Sequence, residues 1–259
     1  MQAGEDTIDQ PLGIDSWAGA MNRELALATH RKSWRPDSFL FQLGSGTLGN
    51  LISAGRMVEF HAGNTLITEG DTDTSVYLLL SSCVKVTARL GEVGEALLAV
   101  RFGGDLVGEL AAVDARQRSA TVRACGRTPV TASKLDRVDF IAILRDDPSG
   151  MLALSAYMSG KLRSATRRRV DYTGCPPAVR LARVLRELVE THGNGSTGAG
   201  LIIGVDLTQI ELGTLVGVKR ASAERALRDL RRAGLIDTGG KRLLVRDIGS
   251  LIRFAEQGT

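Results

Sequence analysis

The stretch FGGDLVGELAAVDARQRSATVRA, residues 102–124, combines the parts of an anion site. Backbone N–H groups at the start of a helical turn after Gly108 lack intrahelical partners, and that end of the helix dipole is positive. Arg118 adds a permanently charged fork that suits a phosphate, and Ser119 adds a small donor. Glu109 could accept a hydrogen bond from a sugar hydroxyl beside that phosphate. The order of these residues predicts an anion site with one carboxylate that recognises a hydroxyl group.

Two tripeptides in this stretch, Gly108–Leu110 and Arg118–Ala120, resemble the phosphate-binding cassette of cyclic-nucleotide-binding domains. The resemblance implies that Arg118 and the local amides hold the cyclic phosphate and that Glu109 takes the ribose 2′-hydroxyl. A cyclic nucleotide, with cAMP favoured, is then the expected effector, and no cofactor is required. The implied binding residues in this stretch are Gly108, Glu109, Leu110, Arg118 and Ser119.

The composition is that of an ordinary globular protein with one large or two modest domains, since 43% of the 259 residues are hydrophobic and 24% are charged. A net charge of +4 mildly favours an anionic partner. The three cysteines fit no zinc or iron–sulfur spacing, so we expect no metal site and a reducing compartment. No nucleophile or partnered histidine accompanies Glu109, which argues against an enzyme. No apolar run could span a membrane, and a cytoplasmic location is expected.

Short runs of strand character follow one another from Pro36 onward, separated by turn residues. Such runs favour a sandwich, roll or barrel over βαβ units. The order of Gly63, Glu69–Asp71, Tyr77 and Val84–Val86 resembles the first half of the same cyclic-nucleotide-binding roll. That family has a glycine just before the Val-Lys-Val strand, where this chain has Ser82-Cys83, so we expect the turn to rearrange. The predicted strands are 57–61, 65–68, 76–80, 84–89, 96–101, 120–124 and 130–135.

Residues 149–173 predict one long helix with apolar residues at alternating spacings of four and three. The pattern fits either a core helix of one subunit or a parallel two-stranded dimer contact, and we favour the dimer. The position of this helix, after the β-roll, matches the dimer helix of the Crp/Fnr regulators. The residues assigned to dimerisation are Met151, Met158, Leu162, Ala165 and Tyr172.

The end of this helix bears on the base of the ligand. In cyclic-AMP receptor proteins a Thr-Ser pair late in the helix contacts the adenine across the dimer, and the matching pair here is Ala165-Thr166. Ala165 has no polar group, so a site built on two hydroxyls would lose on the order of 1 kcal/mol. Thr166 stays a predicted ligand residue, while the identity of the base is open.

The C-terminal part predicts a winged helix-turn-helix. Thr208 and Glu211 form a capping box at the start of a short helix, and Gly217 allows a tight turn. A second helix runs from about residue 219 to 233, and a hairpin with a Gly-Gly turn follows. Nine Lys/Arg against five acids between residues 205 and 246 give +4, the excess of the entire chain. This charge favours binding to DNA.

The run LTQIELGTLVGVKRASAERALRDL, residues 207–230, resembles the Crp-type helix-turn-helix. Arg220 and Arg225 match basic residues of that family's recognition helix. Ala221 stands where the family has a cytosine-contacting Glu, so we predict that the standard cyclic-AMP receptor half-site is not preferred. The predicted DNA-contacting residues are Thr208, Gln209, Lys219, Arg220, Ser222, Arg225 and Arg228.

Together these patterns predict an α+β protein with an antiparallel, jelly-roll-like β-roll, a long dimerisation helix and a winged helix-turn-helix. The predicted function is a homodimeric DNA-binding transcription regulator that senses a small ligand. Double-stranded DNA and a second copy are the expected partners, and RNA polymerase stays open. A ligand-free roll, or one with another effector, and a nucleotide-binding module without DNA binding remain alternatives. The predicted domains are 1–35 (extension), 36–147 (roll), 148–174 (dimerisation helix and hinge) and 175–250 (DNA binding).

Overall fold

The computed structural model describes residues 30–91, 94–197, 200–239 and 242–257. The N-terminal strands are β1 (Arg56–Phe60), β2 (Thr65–Ile67), β3 (Val76–Leu79), β4 (Cys83–Leu90), β5 (Gly94–Phe102), β6 (Leu106–Val107), β7 (Thr121–Ala124) and β8 (Val130–Leu135). They form two antiparallel four-stranded sheets, ordered β1-β8-β3-β6 and β2-β7-β4-β5. The short β6 is the one strand of these sheets that the sequence did not predict, because two residues carry no periodicity.

The two sheets enclose a shared apolar core, which defines the β-roll. Alternation along β1 directs Val58 and Phe60 inward, and β8 pairs with it from Arg56↔Lys134 to Phe60↔Val130. The other sheet contributes Ile67, Val84 and Val122 to the same cluster. The predicted antiparallel roll is confirmed.

Four helices cover one side of the roll: α1 (Phe39–Gln42), α2 (Ser45–Ala54), α3 (Glu109–Asp114) and α4 (Arg137–Arg145). The Phe39 ring lies 6.4 Å from Phe140 and 5.8 Å from Tyr157, between ring centroids. The Trp34 indole donates a 2.9 Å hydrogen bond to the Leu80 carbonyl. The end of the predicted extension therefore packs on the roll, while its residues 1–29 lie outside the described residues.

The 27-residue helix α5 (Pro148–Gly174) follows the roll. Asp147 caps it by accepting a hydrogen bond from the Ser149 N–H, and Pro148 occupies the first turn, where its missing N–H costs nothing. The chain breaks at Cys175, and α6 (Pro177–His192) begins two residues later. The break lies where the Gly174–Pro177 segment predicts a hinge.

The C-terminal elements form a helix-turn-helix with a second small sheet. They are β9 (Gly193–Thr197), β10 (Gly200–Ile203), α7 (Gln209–Leu215), α8 (Arg220–Arg232), β11 (Ile236–Gly239), β12 (Arg242–Val245) and α9 (Ile248–Glu256). The sheet order is β11-β12-β10-β9. Two of these elements differ from the prediction. The β9 segment is rich in Gly, Ser and Asn, a composition typical of a loop, but pairing with β10 overrides its low strand propensity. Helix α9 was not predicted.

The turn before β4, where the sequence predicts a rearrangement, keeps a glycine-type backbone. Ser82 adopts a φ of +60°, a left-handed conformation that glycine reaches without a Cβ penalty. Its hydroxyl donates to the Thr128 carbonyl at 2.8 Å, which holds the turn in place. Within the described ranges, no group of three His, Cys, Asp or Glu side chains could hold a metal ion. No helix in the described part is long and apolar enough to cross a bilayer.

Candidate nucleotide cavity and DNA-binding surface

The segment from β6 to β7 forms a tight loop around Gly108. Gly108 has a φ of +90°, and a Cβ there would lie 2.7 Å from the Ser75 carbonyl and 2.8 Å from Nη1 of Arg118. Only glycine satisfies both the backbone angle and the space. Helix α3 starts directly after it, and the chain returns to Arg118 before β7. The loop thus brings Gly108, Glu109, Arg118 and Ser119 together.

Arg118 is held by the protein itself. It is 4% exposed, and it donates to the carbonyls of Gly108 at 3.0 Å and Ser75 at 2.6 Å. Its Nη2 also lies 3.2 Å from Oδ2 of Asp73. Burial acts to raise the pKa of Asp73, but hydrogen bonds from Ser75 and the charges of Lys134 and Arg118 outweigh it and lower the pKa. Arg118 therefore faces a charged carboxylate.

Glu109 is paired with a lysine from the long helix. Its Oε1 lies 2.8 Å from Nζ of Lys161 on α5, and Glu109 is 4% exposed. The same Nζ donates to the Leu106 carbonyl at 3.1 Å and lies 4.4 Å from the centre of the Tyr157 ring. Burial lowers the pKa of Lys161, although Glu109 acts in the opposite direction. This pair ties the cassette to α5.

A cavity of about 370 Å³ separates the cassette from α5, and we call it the effector cavity. All five cassette residues predicted from the sequence line it, from Gly108 and Glu109 to Ser119. Its other polar or charged lining residues, which the sequence analysis missed, are Arg101, Lys161, Ser164 and Arg168. Sequence spacing could have grouped three of them, because positions 161, 164 and 168 share one face of a helix.

Thr166 is not among the residues that line the effector cavity, whereas Ser164 and Ala165 are. Two residues along a helix rotate a side chain by about 200°, which carries Thr166 to the solvent face. The predicted contact of Thr166 with the base is one across the dimer, so it stays a prediction. A contact by Thr166 requires the cavity of a second copy.

A second cavity, of about 490 Å³, lies between the roll, α5 and α6, and we call it the hinge cavity. It shares Arg101, Lys161, Ser164 and Arg168 with the effector cavity. Arg168 donates to the Leu98 carbonyl at 2.7 Å and to both oxygens of Glu187 on α6 at 3.1 Å. One arginine thus connects the wall of the effector cavity to the C-terminal part.

Helices α7 and α8 present the predicted basic surface. The capping box is present: Thr208 accepts from the Glu211 N–H at 3.2 Å, and Glu211 accepts from the Thr208 N–H at 2.7 Å. Ala226 and Leu230 are buried on the inner face of α8. On its outer face Arg220 pairs with Glu224 at 2.8 Å. All seven predicted DNA-contacting residues are exposed: Thr208, Gln209, Lys219, Arg220, Ser222, Arg225 and Arg228.

The helix-turn-helix rests on the roll of the same chain. Nζ of Lys85 on β4 lies 2.7 Å from Oε1 of Glu211, and the Leu97 N–H donates to the Thr214 hydroxyl at 2.9 Å. Leu97 and Phe102 of β5 belong to one apolar cluster with residues of α6, α7 and α8. The DNA-binding part is therefore docked on the sheet that carries the effector cavity.

The predicted dimer residues on α5 differ in part from the residues that are most exposed in the single chain. Met158 packs half-buried against its own core, and the Tyr172 hydroxyl donates to the Leu215 carbonyl at 3.1 Å. The most exposed apolar side chains of α5 are Leu152 at 70%, Leu162 at 69% and Val170 at 62%. They lie on a solvent-facing face that we call the outer stripe, which comprises Leu152, Ser155, Leu162, Thr166, Val170 and Thr173. Of the predicted residues, Leu162 lies within it, while Met151 and Ala165 flank it.

Known proteins match both parts of the chain. A family described as the cyclic nucleotide-binding domain matches residues 57–147, and one described as the Crp-like helix-turn-helix domain matches residues 179–254. The CRP-like cAMP-activated global transcriptional regulator of Mycobacterium tuberculosis is 30% identical over 198 residues, which cover 76% of this chain and 87% of that protein. The chain belongs to the Crp/Fnr family of transcription regulators. This confirms the predicted family and its α+β fold.

Other Crp/Fnr proteins agree with this assignment. The cAMP-activated global transcriptional regulator CRP of Escherichia coli O157:H7 is 26% identical over 205 residues, or 77% of this chain and 93% of that protein. The c-di-GMP responsive regulator CLP of Xanthomonas campestris has the same fold, with a TM-score of 0.68 and 21% identity over 79% of this chain and 100% of that one. The relatives are transcription regulators and not enzymes, as expected for this chain. The Crp-like helix-turn-helix supports DNA binding.

Proposed function

We propose that this Crp/Fnr regulator is a homodimer whose DNA binding is controlled by a cyclic nucleotide in the effector cavity. One observation supports a nucleotide as the ligand. Arg118 and Glu109 line the same 370 Å³ cavity, which ends against α5. A cyclic phosphate bound to Arg118 would replace the carboxylate of Asp73 by a ligand anion. A ribose hydroxyl at Glu109 would compete with Lys161 for the carboxylate. Binding therefore changes the contact between the cassette and α5.

The sequence resemblance predicts cAMP as the effector, and the names of the two relatives above describe them as cAMP-activated. We extend this to the present chain as the first nucleotide to test. Contact with RNA polymerase and a cytoplasmic location stay predictions of the sequence.

The homodimer is supported by the outer stripe. Leu152, Leu162 and Val170 are each more than 60% exposed on one face of a 27-residue helix. Large apolar side chains concentrated on one helix face favour a partner helix. A second copy of α5 in parallel offers the same face, and it would place Thr166 of each chain toward the cavity of the other. Two DNA-binding parts would then address two half-sites about one helical turn apart.

The test is calorimetric titration of the full chain with cAMP and cyclic GMP. We expect binding in the wild type and its loss in Arg118→Ala, because the buried guanidinium is the phosphate donor. Arg116→Ala is the matched control, since Arg116 is an exposed arginine of the same loop and does not line the cavity. Ser119→Ala, at an exposed lining position, should weaken binding several-fold without disturbing the fold.

One observation favours a second candidate, a regulator whose roll works without a nucleotide. Arg118 and Glu109 already have protein partners, Asp73 and Lys161, so the described cassette is stable without a ligand anion. Absence of heat with both nucleotides, together with unchanged operator binding in Arg118→Ala, would establish this candidate.

A further inference from the structure

Arg101 differs from the other cations of the effector cavity. Lys161 is bonded to Glu109, Arg168 to Glu187, and Arg118 to the cassette. Among the residues that the structure describes, the Arg101 guanidinium has neither a hydrogen bond nor an ion pair within 4.0 Å. Arg101 lines both the effector cavity and the hinge cavity, so its N–H donors are open to an acceptor of a bound ligand. No described protein acceptor would compete with a ligand for these donors, so a ligand acceptor can bind here.

Arg101 stays protonated and positively charged. Burial acts to lower the pKa of Arg101, but the Tyr157 phenol and the carboxylates of Asp105, Glu109 and Glu187 raise it above its ordinary value. These neighbours also locate the guanidinium. It lies in the field of Glu109 and of α5 and α6, not beside Asp73 at the phosphate end. A nucleotide with its phosphate at Arg118 and its ribose at Glu109 has only its base left to reach Arg101.

The donors and acceptors of the two purine bases decide which base fits Arg101. Guanine presents O6 and N7 as adjacent acceptors, which an arginine fork matches with two hydrogen bonds. Adenine presents an amino donor in place of O6, and this group would meet a side chain that can only donate. The carboxylate of Glu109, which could accept from that amino group, is bonded to Lys161. Ala165 offers no acceptor side chain, which leaves the adenine amino group only single hydroxyls, such as that of Ser164, as acceptors.

We infer that Arg101 selects the base, and that the effector cavity prefers a guanine cyclic nucleotide to an adenine one. The inference rests on the proposed function and replaces the base that the resemblance predicts. The two relatives described as cAMP-activated are 30% and 26% identical to this chain, which leaves room for a different base.

The experiment measures dissociation constants of the full chain for cyclic GMP, cyclic IMP and cAMP. Cyclic IMP keeps O6 and N7 but lacks the amino group at C2. We expect the wild type to bind cyclic GMP and cyclic IMP about tenfold or more tightly than cAMP. Arg101→Leu should remove this preference, mainly by weakening the two 6-oxo nucleotides. Arg101→Lys, which keeps the charge but not the fork, should also lose most of it.

Arg145→Leu is the control, because Arg145 is exposed on α4 and lines neither cavity. Melting curves of each variant confirm that the fold is intact. A wild type that prefers cAMP, or a preference that survives in Arg101→Leu, overturns the inference. The proposed function still stands in that case if Arg118→Ala abolishes binding of both bases. A wild type that binds none of the three nucleotides overturns both.

Discussion

Gly217 shows how one residue joins the long helix to the helix-turn-helix. It has a φ of +68°, and a Cβ at this position would lie 2.9 Å from the Tyr172 ring. We therefore predict that Gly217→Ala lowers the free energy of unfolding by about 1–3 kcal/mol, from left-handed strain and the displaced ring. Chemical denaturation with circular dichroism measures this change.

Gly160→Ala is the matched control for that substitution. Gly160 lies inside α5, and no heavy atom is within 4 Å of the Cβ that alanine would add. Alanine loses less backbone entropy than glycine in a helix, so this variant should gain roughly 0.5–1 kcal/mol. Equal stability of the two variants would mean that Tyr172 moves away from the turn without cost.

The residues of the cassette were predictable because their order is local. The segment 108–119 contains the glycine, the acid and the arginine within twelve positions, and one tight loop brings them together. Asp73 and Lys161 were not predictable in this way. Asp73 is 45 residues from Arg118 in the sequence, and Lys161 is 52 residues from Glu109. Only the tertiary fold brings such distant residues into contact.

At the scale of elements, α5 shows the limit of a heptad pattern. Positions 151, 158, 165 and 172 and the outer stripe are both compatible with apolar spacing in this helix. The roll buries Ala153, Leu154 and Tyr157 and leaves the opposite face exposed, which favours the outer stripe as the contact with a second copy. Strands β1 to β5 were predicted nearly to the residue, since turn residues bound them.

The outer stripe makes a testable prediction. Leu162→Glu places a charge in the middle of the proposed helix–helix contact, and it should shift the protein from dimer to monomer at micromolar concentration. Sedimentation velocity measures the change. Val138→Glu is the control, because Val138 is 73% exposed on α4, outside the stripe. A Leu162→Glu protein that sediments as the wild-type dimer contradicts the proposed contact.

At the scale of the whole molecule, the Lys85–Glu211 pair holds the helix-turn-helix against the roll. Burial acts to raise the pKa of Glu211, but hydrogen bonds from Lys85 and Thr208 outweigh it and lower the pKa. A lowered carboxyl pKa stabilises the folded state above the ordinary pKa, and this stability is lost as the pH falls through the folded value. The docking contact should therefore loosen in acid.

Lys85→Met tests this contact and leaves the capping box of Glu211 intact. The pair is partly exposed, so the expected loss of unfolding free energy is about 0.2–1 kcal/mol. Hydrogen exchange of α7 should become faster, and the pH at which it accelerates should rise, because Glu211 loses its cation. Exchange that is unchanged at every pH would show that the apolar contacts of Leu97 hold α7 without the ion pair.

DNA binding of the whole molecule should depend steeply on salt. Each phosphate that a Lys or Arg neutralises contributes about −0.9 to the slope of log K against log salt concentration. Arg228→Ala should reduce the magnitude of this slope by about one per chain if Arg228 contacts a phosphate. Fluorescence anisotropy across a salt series measures it. Arg145→Ala, on the roll, should leave the slope unchanged.

Arg168 couples the effector cavity to the DNA-binding part. It bonds to Leu98 in the wall of the effector cavity and to Glu187 on α6, so both parts of the molecule share one side chain. A coupling free energy carried by such a contact is reciprocal. If a bound nucleotide raises the affinity for operator DNA by some factor, bound operator DNA raises the affinity for the nucleotide by the same factor. A regulator seated on its operator would therefore sense a different effector concentration from one that is free.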